Sequence, residues 1–515
     1  MKGKILITSI MVMSLIVSSC SQDYLNTEPT SSTSTETIFK TTTEAKLAVN
    51  GLAKLMSIQY LSSQGFNGEG TIKMYYGNYP GAHFTVNLPG WAGIINSDYF
   101  RNLDAIYDYY PWYYYYRIIG NANTIILNID NASGPDAEKQ YIKAQALSYR
   151  AYSFMMLAQL YCLRWSDSND GASHGLVLRT DASDGDMERS TLAETYKRIY
   201  DDLNDAITLF TESGIHRDQS LNYEMDVEVA YAIYARAAIN RHDYPKAEEM
   251  AIKARMGYSL MSTTDYKAGF SNPNSEWIWS VWGSIDETLY YYSYFAYIGY
   301  NSSASAVRTY PKCISKELFD KIPDTDVRKT LFINPADYVP AYNASTGQYS
   351  NASVVSDIRA KGTDPSASVY AYMQFKIKCN DQPGIGHMNI FRSSEMYLIE
   401  AEAKYFQNNT SGAQNALIAL NKDSGRDNNY TCTKTGADLL DEIKTYRGIE
   451  LWGEGFDWFD IKRWGDPMLR KSFADGGSFV SSLAVSFESQ DKNKWTWFIP
   501  SREINYNKLA EQNNY

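Results

Sequence analysis

Four carboxylates, Glu450, Glu454, Asp457 and Asp460, lie at helical spacing within the run from Arg447 to Trp464, and paired carboxylates are what acid/base hydrolysis is built from. Cleaving a glycosidic bond needs two of them converging in a cleft at roughly 5 to 9.5 Å, and spacing along one segment does not supply a cleft. The same run has a simpler use for its charges. Arg447 and Glu450 stand three residues apart, where a helical ion pair ties the helix to its neighbours, and Gly453 and Gly455 permit a sharp exit. Glu395, Glu400 and Glu402 read likewise as polar faces or as buried partners of Arg392. No catalytic residue is assigned. His83, His174, His216, His242 and His387 are scattered, and Cys162, Cys313, Cys379 and Cys432 lack the spacing of a zinc or redox pair, so neither a metal nor a cofactor is indicated.

Binding chemistry is better supplied. The chain has 43 Tyr and 11 Trp, side chains with a flat apolar face and a polar edge, which suit contact with sugars. Trp91 sits between Pro89-Gly90 and Ala92-Gly93, a setting that can present a large ring with little crowding, with Tyr79 and Tyr99 nearby. Trp282 precedes a tyrosine run in which Tyr290, Tyr292 and Tyr294 share one face if the segment is extended. Asn78, Asn96 and Asp98 are the adjacent polar groups for hydroxyls. These ten residues form the candidate ligand site. A net charge of −11 argues against nucleic acid and against a generally polyanionic ligand, and does not decide between a neutral glycan and a peptide.

The elements that must position these residues are mostly helical. Leu147, Ala151, Phe154, Ala158 and Tyr161 recur at four and three residues and make one stripe. Ala235, Ala247 and Ala254, around a turn at His242 to Pro245, resemble a tetratricopeptide helix pair, in which small residues let two helices approach closely. Met396, Ile399, Ala403 and Phe406, followed across a polar turn by Ala413, Ala416, Leu417 and Leu420, predict another pair. Tyr113 to Tyr116 predict a helix with Pro111 near its start, most of the four rings packing on neighbouring helices. Two long aromatic, Gly-rich segments, Gly65 to Pro111 and Ser271 to Pro311, interrupt the helices, and long loops on a helical scaffold tend to carry function. Trp277 to Trp282 alternates like a short strand. The expected fold is therefore mainly α, tetratricopeptide-like helix pairs in a single globule with long irregular insertions and small β elements.

The N-terminus reads as an export signal: Lys2 and Lys4, then an apolar stretch from Ile5 to Val17 that is short for a membrane span. Val17-Ser18-Ser19-Cys20 looks like a lipobox, so residues 1–19 are expected to be removed and Cys20 to carry lipid. Residues 20–43, rich in Ser and Thr, read as a tether and extended segment, and 44–515 as one domain with halves at about 44–225 and 226–515.

Motifs at both ends and between them carry a family resemblance. They are CSQDYL at Cys20 with Pro29, AVNGL at Ala48, AQALSYRAYSFMMLAQLY from Ala144, the stretch Arg392 to Ala403, the run Arg447 to Trp464, and the closing FIPSREI at Phe498 with Gln512 to Tyr515. In this order they resemble the SusD/RagB family of outer-membrane nutrient-binding lipoproteins of Bacteroidota. The resemblance implies a non-catalytic protein at the outer membrane, lipid-anchored and facing the cell exterior. It would sit as a lid on a TonB-dependent, SusC-like transporter and capture an oligosaccharide or polysaccharide. The alternatives are the same fold with peptide or another nutrient as cargo, and a surface glycoside hydrolase.

Overall fold

Side-chain caps set where several of the long helices begin. Thr41 and Glu44 form a capping box at the start of α1 (Thr42–Leu55), and Thr191 and Glu194 form one at the start of the helix Leu192–Ser213. The computed structural model describes residues 35–515 apart from 64, 182, 184 and 285–291; the export signal, Cys20 and most of the tether lie outside the described residues. The end of the tether region, Thr35–Ile38, is a helical turn rather than extended chain.

Each long helix packs on the next. α2 (Ile106–Asn128) lies on α3 (Asp136–Tyr161), α3 on α4 (Leu192–Ser213), α4 on α5 (Val227–Asn240), and α5 on α6 (Tyr244–Ala254). The stack resumes after the second insertion, with α6 against α7 (Ser393–Phe406) and α7 against both α8 (Thr410–Ile418) and α9 (Gly436–Glu450). Asp226 caps α5 and Asp243 caps α6. The predicted pairs are those of α5 with α6 and α7 with α8, and Ala235, Ala247 and Ala254 are fully buried between helices. The fold class is mainly α in one globule, with two short antiparallel ladders. β1 (Phe84–Thr85) pairs with β3 (Cys313–Ile314), joining the first insertion to the chain just past the second, and β2 (Trp277–Val281) pairs with β4 (Met388–Arg392). Among the described residues no helix is long and apolar enough to cross a membrane, and Cys162, Cys313, Cys379 and Cys432 are buried free thiols.

Three expectations are corrected. Pro111 lies well inside α2, not at its start. Lacking an N–H, it leaves the Tyr107 carbonyl without a helical donor, and the Tyr76 hydroxyl donates to that carbonyl at 2.6 Å. The Tyr161 hydroxyl enters the next step of the ladder, accepting from the Trp112 N–H at 3.2 Å and donating to the Asp108 carbonyl. Tyr76→Phe is accordingly expected to lower stability by about 1–2 kcal/mol, read as a shift in the urea midpoint; an unchanged midpoint would mean that another donor reaches the carbonyl.

The ion pairs also differ from the predicted ones. Arg447 bonds Asp460 at 2.7 Å, whereas Glu450 binds Arg328, Arg392 and Arg426, because a helix facing a charged core pairs across elements and not along itself. Glu395, Glu400 and Glu402 are taken by Arg236, Arg255 and Arg463, while Arg392 holds Glu276, Glu450 and Glu454. Third, the start of the first insertion is no surface loop: residues 65–81 are buried throughout. Glu69 anchors that stretch to the helices by accepting hydroxyl hydrogen bonds from Tyr114 and Tyr115 of α2 and Tyr152 of α3. Burial pushes the Glu69 carboxyl up, with these hydroxyls and Lys73 pulling the other way.

Candidate functional site

The first insertion turns into the core through a wide π-helical turn, Ile72–Asn78, closed by the Tyr79 N–H on the Met74 carbonyl at 2.9 Å. It carries Tyr75 and Tyr79 beneath Trp91, which follows on a short turn starting at Pro89. The Trp91 ring is half-buried, and its edges meet Tyr75 at 5.2 Å, Tyr79 at 6.1 Å and, from the second insertion, Tyr297 at 6.3 Å. The Tyr75 hydroxyl donates to the Tyr297 hydroxyl at 3.1 Å. Gly65, at φ +86, lies under that pair; a Cβ there would stand 2.7 Å and 2.8 Å from the two oxygens. Beside Trp91, Tyr99 stacks on Tyr107 at 4.8 Å and 17°, both rings half-buried, and Gly93 makes the room, since a Cβ on it would fall 2.5 Å from the Tyr99 ring.

The tyrosine run, whose alternate rings would share a face if it were extended, is helical at its described end. Ser293 accepts a hydrogen bond from the Ala296 N–H and so caps the helix Tyr294–Ile298. This turns Tyr294 inward, its hydroxyl donating to the Gly453 carbonyl at 2.7 Å. Tyr292 is half-buried, and Tyr290 lies outside the described residues. Trp282, just past β2, is 50% exposed, with its ring edge-on to His387 at 4.7 Å and to Tyr223 at 5.7 Å. It borders a small cavity of about 60 Å³ reached by Asn67, Ser284 and Ser293.

Of the ten predicted site residues, Trp91, Tyr99, Trp282 and Tyr292 therefore keep ring surface available to a ligand. Tyr79, Tyr294 and Asn78 do not. Tyr79 and Tyr294 are core side chains whose hydroxyls burial holds well above their ordinary range. Asn78 is fully spent in the interior, donating to the Gly453 carbonyl at 2.8 Å and accepting from the Gly455 N–H at 2.9 Å. Asn96 donates to the Ser482 carbonyl at 3.1 Å, and exposed Asp98 faces Lys494 at 3.6 Å. Tyr107, Tyr223 and His387 enter the site without a sequence signal. Tyr107 enters by stacking on Tyr99, and the other two are brought up by contacts across the fold.

Among the described residues no carboxylate pair stands open beside these rings. Glu450 and Glu454 are neutralised in the interior, Asp460 bonds Arg447 and Arg463, and Asp457 accepts from the His83 N–H and meets its Nδ1, each at 2.7 Å. Among the described residues no group of His, Cys, Asp and Glu is arranged to hold a metal ion. The arrangement offers aromatic faces with polar rims, a geometry for holding a ligand.

Residues 23–238 match the model of a family described as "Starch-binding associating with outer membrane", and residues 253–515 match the model described as "SusD family". Among solved structures the chain is similar to a SusD-like carbohydrate binding protein from Bacteroides vulgatus, with 24% identity, a TM-score of 0.73, and coverage of 92% of this chain and 98% of that one. It is also similar to a SusD superfamily protein from Bacteroides thetaiotaomicron, with 22% identity, a TM-score of 0.71, and coverage of 92% and 100%. A second SusD superfamily protein from Bacteroides vulgatus stands at 22% identity and a TM-score of 0.73, covering 92% and 99%. At these identities the likeness is one of fold. No curated protein matches the chain.

Proposed function

This chain belongs to the SusD family, and from that premise we propose that it is a glycan-capture protein of the outer membrane. It would be anchored through lipid on Cys20, face outward, and pass oligosaccharide to a TonB-dependent transporter of the SusC type. The observation that carries this reading is the Trp91 cluster: a half-exposed indole propped by Tyr75 and Tyr297, one from each insertion, beside the stacked pair Tyr99 and Tyr107. Trp282, in the second insertion just past β2, is a second exposed indole. Stacking on an aromatic ring is worth about 1–3 kcal/mol for a nucleobase, and a sugar ring lies at the lower end. Two or three such platforms correspond to affinities from roughly millimolar to tens of micromolar once ordering costs are included. A transporter beneath the site would raise avidity through local concentration.

Peptide cargo on the same surface is the second reading. A surface hydrolase is disfavoured, because Glu450, Glu454, Asp457 and Asp460 each spend their carboxylate on a cation or a histidine.

The test is affinity electrophoresis of the soluble protein, starting after Cys20, through gels carrying different polysaccharides. Wild type should be retarded by at least one of them, and Trp91→Ala or Trp282→Ala should weaken that retardation about tenfold. Retardation by none would overturn glycan capture, and release of reducing sugar from the gel would favour the hydrolase.

A further inference from the structure

A groove of about 1160 Å³ runs along the outer face of α2. Its floor is a helical stripe, Tyr109, Tyr113 and Tyr116, at intervals of four and three residues, all three rings half-buried and so half-open. This divides the tyrosine run cleanly: Tyr114 and Tyr115 turn inward to Glu69, while Tyr113 and Tyr116 turn to the groove. The far wall is the C-terminal helix Ser501–Tyr506, which presents Tyr506, 86% exposed, towards the same space.

The groove is built and not merely empty. The Trp112 indole N–H donates to Glu503 at 3.2 Å, joining floor to wall, and Asn123 holds the carbonyls of Arg179 and Asp181 at 3.1 Å and 3.0 Å, fixing the end of the groove. The Tyr116 hydroxyl is tied to the Val177 carbonyl at 2.8 Å. The Tyr109 and Tyr113 rings follow one another at 5.5 Å. Arg502 lies 4.3 Å over the Tyr109 ring, and Arg117 donates to the Tyr113 hydroxyl at 3.3 Å. Both guanidiniums are thus held in place at the groove's edge with N–H groups to spare, and both side chains are otherwise exposed.

The chemistry of this lining selects the occupant. An amphipathic helix docks its apolar face in a hydrophobic groove, and here the aliphatic contributor is Ile119, which is buried. Apolar surface in the groove is aromatic, and beside it stand exposed planar polar groups, Arg117, Arg502 and Asn505, that match hydroxyl edges. The size matches or exceeds that of small-molecule pockets, and its elongation along a helix suits a chain more than a single ring.

We propose that this groove is a second oligosaccharide-binding surface, separate from the Trp91 cluster, in which consecutive sugar rings lie against Tyr113 and Tyr506 and their hydroxyls pair with Arg117 and with Arg502, which Tyr109 holds in place. The proposal rests on the glycan-capture reading and adds to it a longer footprint on the polysaccharide.

The test uses the soluble protein starting after Cys20 in gels carrying starch, arabinoxylan, dextran or polygalacturonate. Tyr506→Ala and Arg502→Ala alter exposed side chains and leave the core untouched; Tyr109→Ala with Tyr113→Ala removes the floor. For a polysaccharide that retards wild type, the expected result is about a three- to tenfold loss of affinity in Tyr506→Ala and in the floor variant. The Trp91→Ala protein should keep a residual retardation that Tyr506→Ala then abolishes. Retardation lost in Trp91→Ala but unchanged in every groove variant overturns the groove and leaves glycan capture standing. Retardation of wild type by none of the gels overturns both.

Discussion

Arg392→Met is expected to destabilise the folded chain by about 3–5 kcal/mol at pH 7, because it opens a buried charge network from the middle. The Arg392 guanidinium touches Glu276 and Glu450 at 2.6 Å each and grips Glu454 at 2.8 Å and 2.9 Å. Around it Arg426 reaches Glu276 at 3.0 Å and Glu450 at 3.1 Å, Arg328 reaches Asp326 and Glu450, and Lys376 reaches Glu454 at 2.7 Å. Four cations thus face four carboxylates, and their side chains are almost wholly removed from water. Removing the central cation leaves three carboxylates short of a partner where none can be rehydrated.

The pH dependence identifies the cause. Burial alone would raise the Glu454 carboxyl, but Arg392 and Lys376 hold it down at about 2, and burial at Glu450 is likewise outweighed by Arg426, Arg392 and Arg328, which hold it well below 4.5. A depressed carboxyl contributes stability that is present above its unfolded value of 4.5 and is lost as pH falls through the folded one. In wild type this contribution persists from neutrality down to about pH 4.5 and fades towards pH 2. In Arg392→Met the two glutamates have lost that counter-charge, so protonation relieves the variant before it harms the wild type. The stability gap in urea unfolding should be widest at pH 7 and narrower at about pH 3.5. A gap of the same size at both values would mean lost packing, not stranded charge.

The legible parts of this molecule are those whose cause is local. Ala235, Ala247 and Ala254 announce close helix packing through their size and spacing, and the Met396 to Leu420 pattern does the same for α7 and α8. Trp277 to Val281 alternates and is a strand. Misreadings arise where a distant partner decides. Nothing around Asn78 signals burial, because what covers it includes Gly453 and Gly455, some 375 residues away, and Tyr79 is covered in part by Lys312 from beyond the second insertion. The tyrosine run after Trp282 carried a usable local signal, Ser293, whose hydroxyl caps a helix and so rules out the extended platform at Tyr294. Among the candidate rings, partial exposure of Trp91 depends on how two insertions meet, and that of Trp282 on Tyr223 and His387 brought up from outside them, neither of which one segment alone encodes.

The seating of the first insertion can be tested directly with Gly77→Ala, expected to cost about 3–5 kcal/mol and to weaken ligand retardation as well. Gly77 lies in the π-helical turn against the exit of α9. A Cβ on it would fall 2.1 Å from the Gly455 carbonyl oxygen and 2.7 Å from the Gly455 Cα, backbone atoms that no rotamer can move. Gly455 cannot yield, since at φ +90 it is confined to a glycine conformation, and its own α-face lies against Lys73. Three buried hydrogen bonds hold the two backbones together: Asn78 to Gly453 at 2.8 Å, Gly455 to Asn78 at 2.9 Å and Lys73 to the Glu454 carbonyl at 2.6 Å. A methyl group wedged between them must stretch these bonds, and the turn that bears Tyr75 and Tyr79 beneath Trp91 shifts with them. Gly51→Ala in α1 is the matched control, because nothing stands within 4 Å of its Cβ and alanine there should gain about 0.5–1 kcal/mol. A Gly77→Ala protein within 1 kcal/mol of wild type, with its retardation intact, would show that the contact between the first insertion and the α9 exit does not position the ring cluster.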